Sequence, residues 1–486
     1  MTLPLDQALS LARSYLQAGR LREAEPIYRH IIRDYPDHPE ALHYLGVIGL
    51  QCGFLDNAIQ LMSRSIALTP GIAHYHRNLA EALRRAGRLD EAEAGFKTAL
   101  ELQPGFPETY HSLALVYEKA DRIDEAIACY RQAIALKPTL AESHCNLGVL
   151  LERRGGYDEA LQLFTRAIEL RPNYALAHLS RGLALLRQGN FEAGWREYPW
   201  RWQLREFATQ RPDPTRPLWD GSDLAGRTLL VRAEQGLGDT LQFSRYVPLL
   251  APRGGQVVFQ VQPPLQSLLG RLPGVTQVVA SDDPLPPYDL QIPLMDLPRL
   301  FGTTLTTIPN TVSYLTPAAD RLQAWQNRLA ADSTFKVGLV WAGGSLYPGD
   351  KKRSISLASF APLAAVSGIT FYSLQKGGPA AQAATPPAGM HLVDLTADLT
   401  DFGETAALAS CLDLIITVDT AVAHLAGALA KPVWTLVPFI PDFRWFLNRD
   451  DTPWYPTMRL FRQPALDDWL SPINRLAAEL HALLKT

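Results

Sequence analysis

Four short stretches in the second half of the chain carry side chains that can do chemistry. In AEQGLGDTLQFSRYVPLL (233–250) an acid, Asp239, follows directly on a Gly-Leu-Gly turn, between a strand-like and a helix-like run. Gly236 and Gly238 permit tight backbone angles and close approach of another molecule. They also keep side-chain bulk away from the acid, as a group facing a cleft needs. A helix N-cap is the competing role, although Thr240 can cap as well. The G-x-G-D spacing is not the G-x-G-x-x-G of a dinucleotide fingerprint. In TVDTAVAHLAGAL (417–429) a helix is expected to start near Asp419-Thr420, with Thr420 and His424 four apart on one face. The free N–H groups and positive dipole end of such a helix make an anion site suited to a diphosphate, and His424 can donate to it. In WAGGSLYPGDKKRSISL (341–357), Trp341 with Gly343 and Gly344 reads as a loop beneath a flat group. Lys351, Lys352 and Arg353, followed by Ser354, bring three positive charges to the same rim, a phosphate clamp. In SLQKGG (373–378), Gln375 and Lys376 are able to reach a ribose or base.

These stretches share a position in the pattern: each follows a short apolar run. TLLVRA (228–233), QVVFQV (256–261), VTQVVA (275–280) and YDLQIP (288–293) form one set; KVGLVWA, ITFYSLQ (369–375), DLIITVD (413–419), KPVWTLV (431–437) and MRLFRQ (458–463) form another. Continuous apolar strands spaced by helices predict parallel sheets covered on both faces. Two α/β halves are expected, 227–316 and 334–486, joined by a connector at 317–333. Ligands of such sheets bind beyond the carboxyl ends of the strands, and the cleft between two halves is the default site.

The first two hundred residues obey a different rule. Pro36, Pro70, Pro104, Pro138 and Pro172 lie 34 residues apart, as do Gly19, Gly53, Gly87, Asp121, Gly155 and Gly189. Small residues keep the same step, from Ala12 and Gly46 to Gly148 and Gly182, and again from Ala24 to Ala160. A turn residue ends one helix in a left-handed conformation, small residues let two helices approach, and proline stops the second helix. Stacking such hairpins covers the apolar face each leaves open. The pattern resembles the tetratricopeptide repeat (TPR), with five to six units over 1–206 and a linker rich in Pro, Asp and Gly over 207–226. The first helices of such an array line a concave surface that docks peptide or protein. Asn78 and Asn146 fall where asparagines of TPR-bearing O-GlcNAc transferases hold a substrate backbone, and an amide both donates to and accepts from a peptide group. Ordinary solvated polar residues are the other reading of the two. The aromatic segment Trp195, Tyr198, Trp200 and Trp202 is expected to cap the array or pack it against the next domain.

The totals agree with a multi-domain globular protein: 486 residues, 47% apolar, 20% charged, net charge −3. That balance gives no global argument for nucleic acid or an anionic membrane, so any anion site must be local. Cys52, Cys129, Cys145 and Cys411 show no paired spacing for zinc or a disulfide framework. No secretory signal or membrane span is read, and a cytoplasmic protein is expected.

From residue 227 onward the chain resembles the two-domain GT-B glycosyltransferases, particularly the ADP-heptose:lipopolysaccharide heptosyltransferases. Their first half opens with a strand, a turn ending Gly-Asp and a helix, here GLGDTLQF; their second half carries Asp-Thr-Gly-x-x-His at a helix start, here DTAVAH with Ala421 in place of the glycine. With the repeats in front, the layout is similar to bacterial TPR-containing glycosyltransferases and, more distantly, to O-GlcNAc transferase. The resemblance implies a TPR superhelix followed by a two-lobed GT-B region. It implies a metal-independent, inverting transferase that needs no cofactor beyond its nucleotide-sugar substrate. Asp239 would be the general base. Lys352, with Lys351 or Arg353 as alternatives, would bind donor phosphate, and Asp419, Thr420 and His424 would face the diphosphate. The family's ribose-holding acid has no clear equivalent, since Gln375-Lys376 stands in that neighbourhood. The acceptor would be a protein held by the repeats; a glycan or lipid-linked acceptor, or a scaffold with a degenerate transferase region, are the alternatives.

Overall fold

The computed structural model describes residues 3–311, 313–344 and 349–485, so positions 345–348 of the 341–357 loop lie outside the described residues. The chain divides into two compact units, Met1–Ala177 and His178–Thr486.

The first unit is a run of paired helices from Leu5–Gln17 to Tyr157–Leu170. The turn positions read from the period take left-handed backbone, with φ of +71° at Gly19, +84° at Gly53, +79° at Gly87 and +80° at Gly155, and +57° at Asp121. The small-residue positions are where helices touch. A Cβ on Gly46 would stand 2.7 Å from Met62 Cγ, and one on Gly148 would stand 2.6 Å from Phe164 Cε1. Ala12, Ala80 and Ala114 are fully buried.

The 34-residue pattern runs to 206, but the boundary between the units falls inside the helix Ala175–Arg187. The next helix, Phe191–Glu197, has only seven residues. It presents aromatic residues: Phe191 stacks on Phe446 (5.8 Å) and Trp454 (5.6 Å), and Trp195 meets Phe243 and Phe443 edge-on. The last hairpin is therefore core of the second unit, because burying two large rings outweighs continuing the repeat.

That unit holds two all-parallel sheets. The first contains β1 (Thr228–Arg232), β2 (Gln256–Val261), β3 (Gln277–Ala280) and β4 (Leu290–Pro293) in the order β3-β2-β1-β4. The second contains β5 (Phe335–Val340), β6 (Ile369–Ser373), β7 (Leu392–Asp394), β8 (Leu414–Val418), β9 (Val433–Val437) and β10 (Met458–Arg462) in the order β10-β9-β8-β5-β6-β7. Strand order reverses between β1 and β4 in one sheet and between β5 and β8 in the other. Those are the switch points beyond which an open parallel sheet leaves a crevice. The connector helix Ala319–Leu329 packs on the side of the second sheet, where the Trp325 indole donates to Glu404 Oε2 at 2.8 Å. Among the described residues no helix is long and apolar enough to cross a membrane.

Candidate functional site

Beyond β1 the chain turns at Gln235, in left-handed backbone (φ +62°), and Gly236 caps the helix Leu237–Phe243. Asp239 is thus the third residue of that helix and not its N-cap: its Oδ2 accepts the Gly236 N–H at 2.8 Å. Its Oδ1 accepts from Arg444 Nη2. Arg444 stands on the short turn Phe443–Trp445 after β9, 205 positions along the chain. The buried guanidinium also donates to Asp442 Oδ1 at 2.8 Å and to Gln242 Oε1. Burial pushes the Asp239 carboxyl above its ordinary range, and the Arg444 charge opposes the rise. Burial works against Arg444 itself, but Asp442 and Asp239 outweigh it and leave the guanidinium more basic than usual. The result is a carboxyl that holds a proton more tightly than a surface aspartate does, with Arg444 acting against the rise.

Gly238 shows how closely the two sheets' strand-end helices meet. A Cβ there would stand 2.8 Å from His424 Cδ2 and 3.4 Å from Ala421 Cα. The start of the Asp239 helix therefore lies directly on the start of the helix Ala421–Ala428, which follows β8. His424 is buried, stacks on Trp445 at 5.2 Å, and shares a 3.0 Å hydrogen bond with the Tyr455 hydroxyl through Nδ1. Burial, aided by Arg444, Arg245 and Arg353, pushes its pKa far down, so the imidazole is neutral. Thr420 precedes the helix without a side-chain cap bond; its hydroxyl lies 3.0 Å from that of Thr417. Asp419 is buried at the end of β8, and burial together with the charge of Asp442 raises its pKa to about 6 against the pull of Arg353.

The loop after β5 closes the same region. Gly343 N–H donates to Ser354 Oγ at 2.8 Å, Ser354 donates to Asp350 Oδ2 at 2.7 Å, and Arg353 Nε donates to Asp350 Oδ1 at 3.3 Å. Any Cβ on Gly343 would run into Asp350 and Arg353, whereas Gly344 faces open space. Of the basic triplet, Arg353 is half-buried and its charge is felt at Asp239, Asp419 and His424. Lys351 and Lys352 are exposed. Gln375 is buried with its amide spent within the protein. It accepts from the N–H groups of Trp341 (3.0 Å) and Ala342 (2.8 Å) and donates to the carbonyls of Ala342 and Lys376. Lys376 is exposed and donates to the Thr396 carbonyl at 2.8 Å. Trp341 is fully buried beneath the loop, its indole N–H directed at the Pro379 carbonyl, so it supports the loop from below. The structure thus gathers Asp239, Gly238, Arg353, Asp419, Thr420 and His424, leaves Lys351, Lys352 and Lys376 at the rim, and sets Gln375 and Trp341 in the framework.

A second framework is a buried triad. Arg201, from the aromatic segment, grips Glu234 with two bonds of 2.9 and 2.8 Å and lies 2.8 Å from Asp296 Oδ1. Glu234 follows β1, Asp296 follows β4, and Glu234 also accepts the Met295 N–H at 3.1 Å. The triad ties both ends of the first switch point together, five residues before Asp239. Neither Arg444 nor Arg201 was marked by spacing in the sequence; the one available hint was an arginine embedded in aromatic residues, DFRWF and PWRWQ.

In the first unit, Asn78 Nδ2 lies 3.0 Å from His43 Nε2, and Asn146 donates to the Tyr130 hydroxyl at 3.0 Å. Both amides are thus held by neighbouring side chains. Among the described residues no group of three or more His, Cys, Asp or Glu is placed to hold a metal.

Comparison with known proteins respects this division. Tetratricopeptide-repeat profiles match residues 9–71, 71–139 and 106–173. The profile of glycosyltransferase family 9 (heptosyltransferase) matches residues 375–437, from Gln375 through β8 and the His424 helix to the end of β9. The chain is 27% identical over 314 residues to protein FlbA of Caulobacter vibrioides, a match spanning 59% of this chain and 52% of FlbA, about half its length. Among solved structures, pilF of Pseudomonas aeruginosa is 18% identical and covers 42% of this chain and 97% of its own, with a TM-score of 0.39. MamA from Desulfovibrio magneticus RS-1 is 20% identical, covering 35% and 96%, with a TM-score of 0.32. The chain thus joins tetratricopeptide repeats to a region similar, in its second parallel sheet, to a glycosyltransferase.

Proposed function

We propose that residues 178–486 form a GT-B type glycosyltransferase that uses a nucleotide-sugar donor with inversion, and that the repeats recruit a protein acceptor. The observation that carries this reading is the pairing of Asp239, after β1, with the Ala421–Ala428 helix start and two arginines from the other sheet. An acceptor hydroxyl would attack the anomeric carbon, and Asp239 would take its proton as the bond forms. A carboxylate whose proton affinity is raised by burial, with Arg444 favouring its charged form, is suited to that task. The departing nucleoside diphosphate gains negative charge. Arg353 and the uncapped N–H groups at Thr420-Ala421 stand where they can stabilise that charge more in the transition state than before it. Lys351 and Lys352 sit at the rim, within the same loop, as further phosphate contacts. One displacement inverts the sugar carbon, and cationic side chains can neutralise the leaving group without a metal.

The test pairs binding with turnover. Wild-type and Asp239→Asn protein are titrated with ADP-, GDP-, UDP- and CDP-sugars by thermal shift, then incubated with candidate acceptors and read by intact-mass spectrometry. A donor that raises the melting temperature of both proteins, with sugar transfer by the wild type alone, is the expected result. Failure of every donor to stabilise the wild type, or equal transfer by Asp239→Asn, defeats the reading.

A further inference from the structure

The helix Ala73–Arg85, first helix of the third repeat, carries a cation that no carboxylate of the array pairs directly. Among the described residues Arg77 makes no ion pair, although it is half-buried. The other arginines of the unit, the exposed Arg22 apart, each meet a carboxylate. The acids on the first helices nearby are already taken: Glu40 by Arg13, Glu81 by Arg84 and Arg85, Glu108 by Lys137 at 2.7 Å, and Glu142 by Arg171. Arg77 instead lies over the Phe106 ring, 5.0 Å from its centroid.

Its immediate neighbours are polar but neutral, and Glu108, held by Lys137, attracts the guanidinium without forming an ion pair with it. His43 is stacked flat on Tyr75 at 3.9 Å and burial draws its pKa down to about 3; His74, edge-on to both, is also lowered by burial. Asn78 is bonded to His43. A shallow cleft lined by Ala73, His74, Arg77, Ala99, Phe106 and Thr109 opens beside the guanidinium. Desolvation lowers the pKa of Arg77 itself, so the array bears a cost that a carboxylate would offset through two parallel hydrogen bonds.

We propose that Arg77 anchors an acidic side chain of an extended peptide lying along the first helices of the repeats. This rests on the reading that the repeats dock protein and names the chemistry they select. The anchor is an internal side chain and not a chain terminus, because first helices continue on both sides of Ala73–Arg85: Leu5–Gln17 and Pro39–Gln51 before it, Pro107–Lys119 and Ala141–Arg153 after it. Phe106 and Ala99 give the stem of the acid an apolar wall, and Thr109 adds a hydroxyl.

The experiment uses the immobilised full-length chain and two libraries of C-terminally amidated ten-residue peptides. They are identical except for one fixed central Glu or Gln and contain no other acid. Bound peptides are counted by mass spectrometry. The wild type is expected to enrich the Glu library at least tenfold over the Gln library. Arg77→Gln should erase that preference, Arg77→Lys should keep part of it, and Arg22→Gln should leave it intact. Equal enrichment of both libraries overturns the role of Arg77 while leaving protein docking standing; enrichment of neither overturns both. A third library, Gln-centred with a free C-terminal carboxylate, separates the remaining source: enrichment equal to that of the Glu library moves the ligand to a chain terminus and overturns the side-chain anchor.

Discussion

Asp419 should weaken the protein whenever it is ionised, and replacing it by asparagine should reveal by how much. Its pKa rises from 3.8 to about 6 in the folded chain, first through burial and then through the charge of Asp442. Between about pH 4 and pH 6 the folded state therefore holds a proton that the unfolded state has released. Stability is favoured below that window and lost as pH rises through it. A rise of about two pKa units corresponds to roughly 3 kcal/mol at neutral pH, at about 1.4 kcal/mol per unit. Asp419→Asn mimics the protonated form. The variant should match the wild type near pH 4 and exceed it by about 2–3 kcal/mol near pH 8, other groups cancelling in the difference. The assay is urea unfolding monitored by tryptophan fluorescence. All 10 tryptophans lie at or beyond Trp195, so the signal reports the second unit alone. A difference that stays flat with pH, or that favours the wild type at pH 8, refutes the account of Asp419 as a carboxylate kept charged at a cost. If the proposed transferase reading holds, the same variant should also transfer sugar poorly, since a destabilising charge at a helix start is what a function-for-stability exchange leaves behind.

Gly238→Ala should cost about 1–3 kcal/mol in the same unfolding assay, because the new methyl stands 2.8 Å from His424 Cδ2 and must push the two helix starts apart. An unchanged midpoint would mean that the two helices are not in contact. Arg201→Met leaves Glu234 and Asp296 buried without their counter-charge and should cost about 3–5 kcal/mol; adding Glu234→Gln should recover part of the loss, and no recovery would count against the triad. Gln375→Ala strips the Trp341 and Ala342 N–H groups of their acceptor and should cost roughly 1–3 kcal/mol per stranded group. A donor affinity that falls with no loss of stability would instead give Gln375 a ligand-binding role.

The range of the forces involved decides which features are legible along the chain. A hairpin repeat is written locally: turn glycines, small contact residues and stop prolines recur every 34 positions, and their φ angles and close contacts follow from sterics alone. Parallel strands are legible for the same reason, except β7, whose three residues are too few to show a pattern. The close approach of Gly238 to His424 follows the same logic, because each stands just beyond a central strand at a switch point. Charge pairing is not local in this sense. Arg444 and Asp239 are 205 positions apart, and Arg201 and Glu234 are 33 apart, with no periodicity to relate them. In the one cluster where three cations sit together, spacing could not separate Lys351 and Lys352 from Arg353. That choice is made by Asp350, which holds Ser354 and the Arg353 head at the Gly343 loop and turns the last cation inward. Gln375 and Trp341 bond within the protein, and the sequence carries no sign of this: a strand end holds both ligand-facing and loop-bracing side chains, and composition is the same for the two. At a strand-end site, then, an amide or indole is as well suited to bracing the loop as to meeting the ligand. Asp239 and Glu234 alike take their neutralising arginines from distant parts of the chain, 205 and 33 positions away, and only the fold brings these partners together.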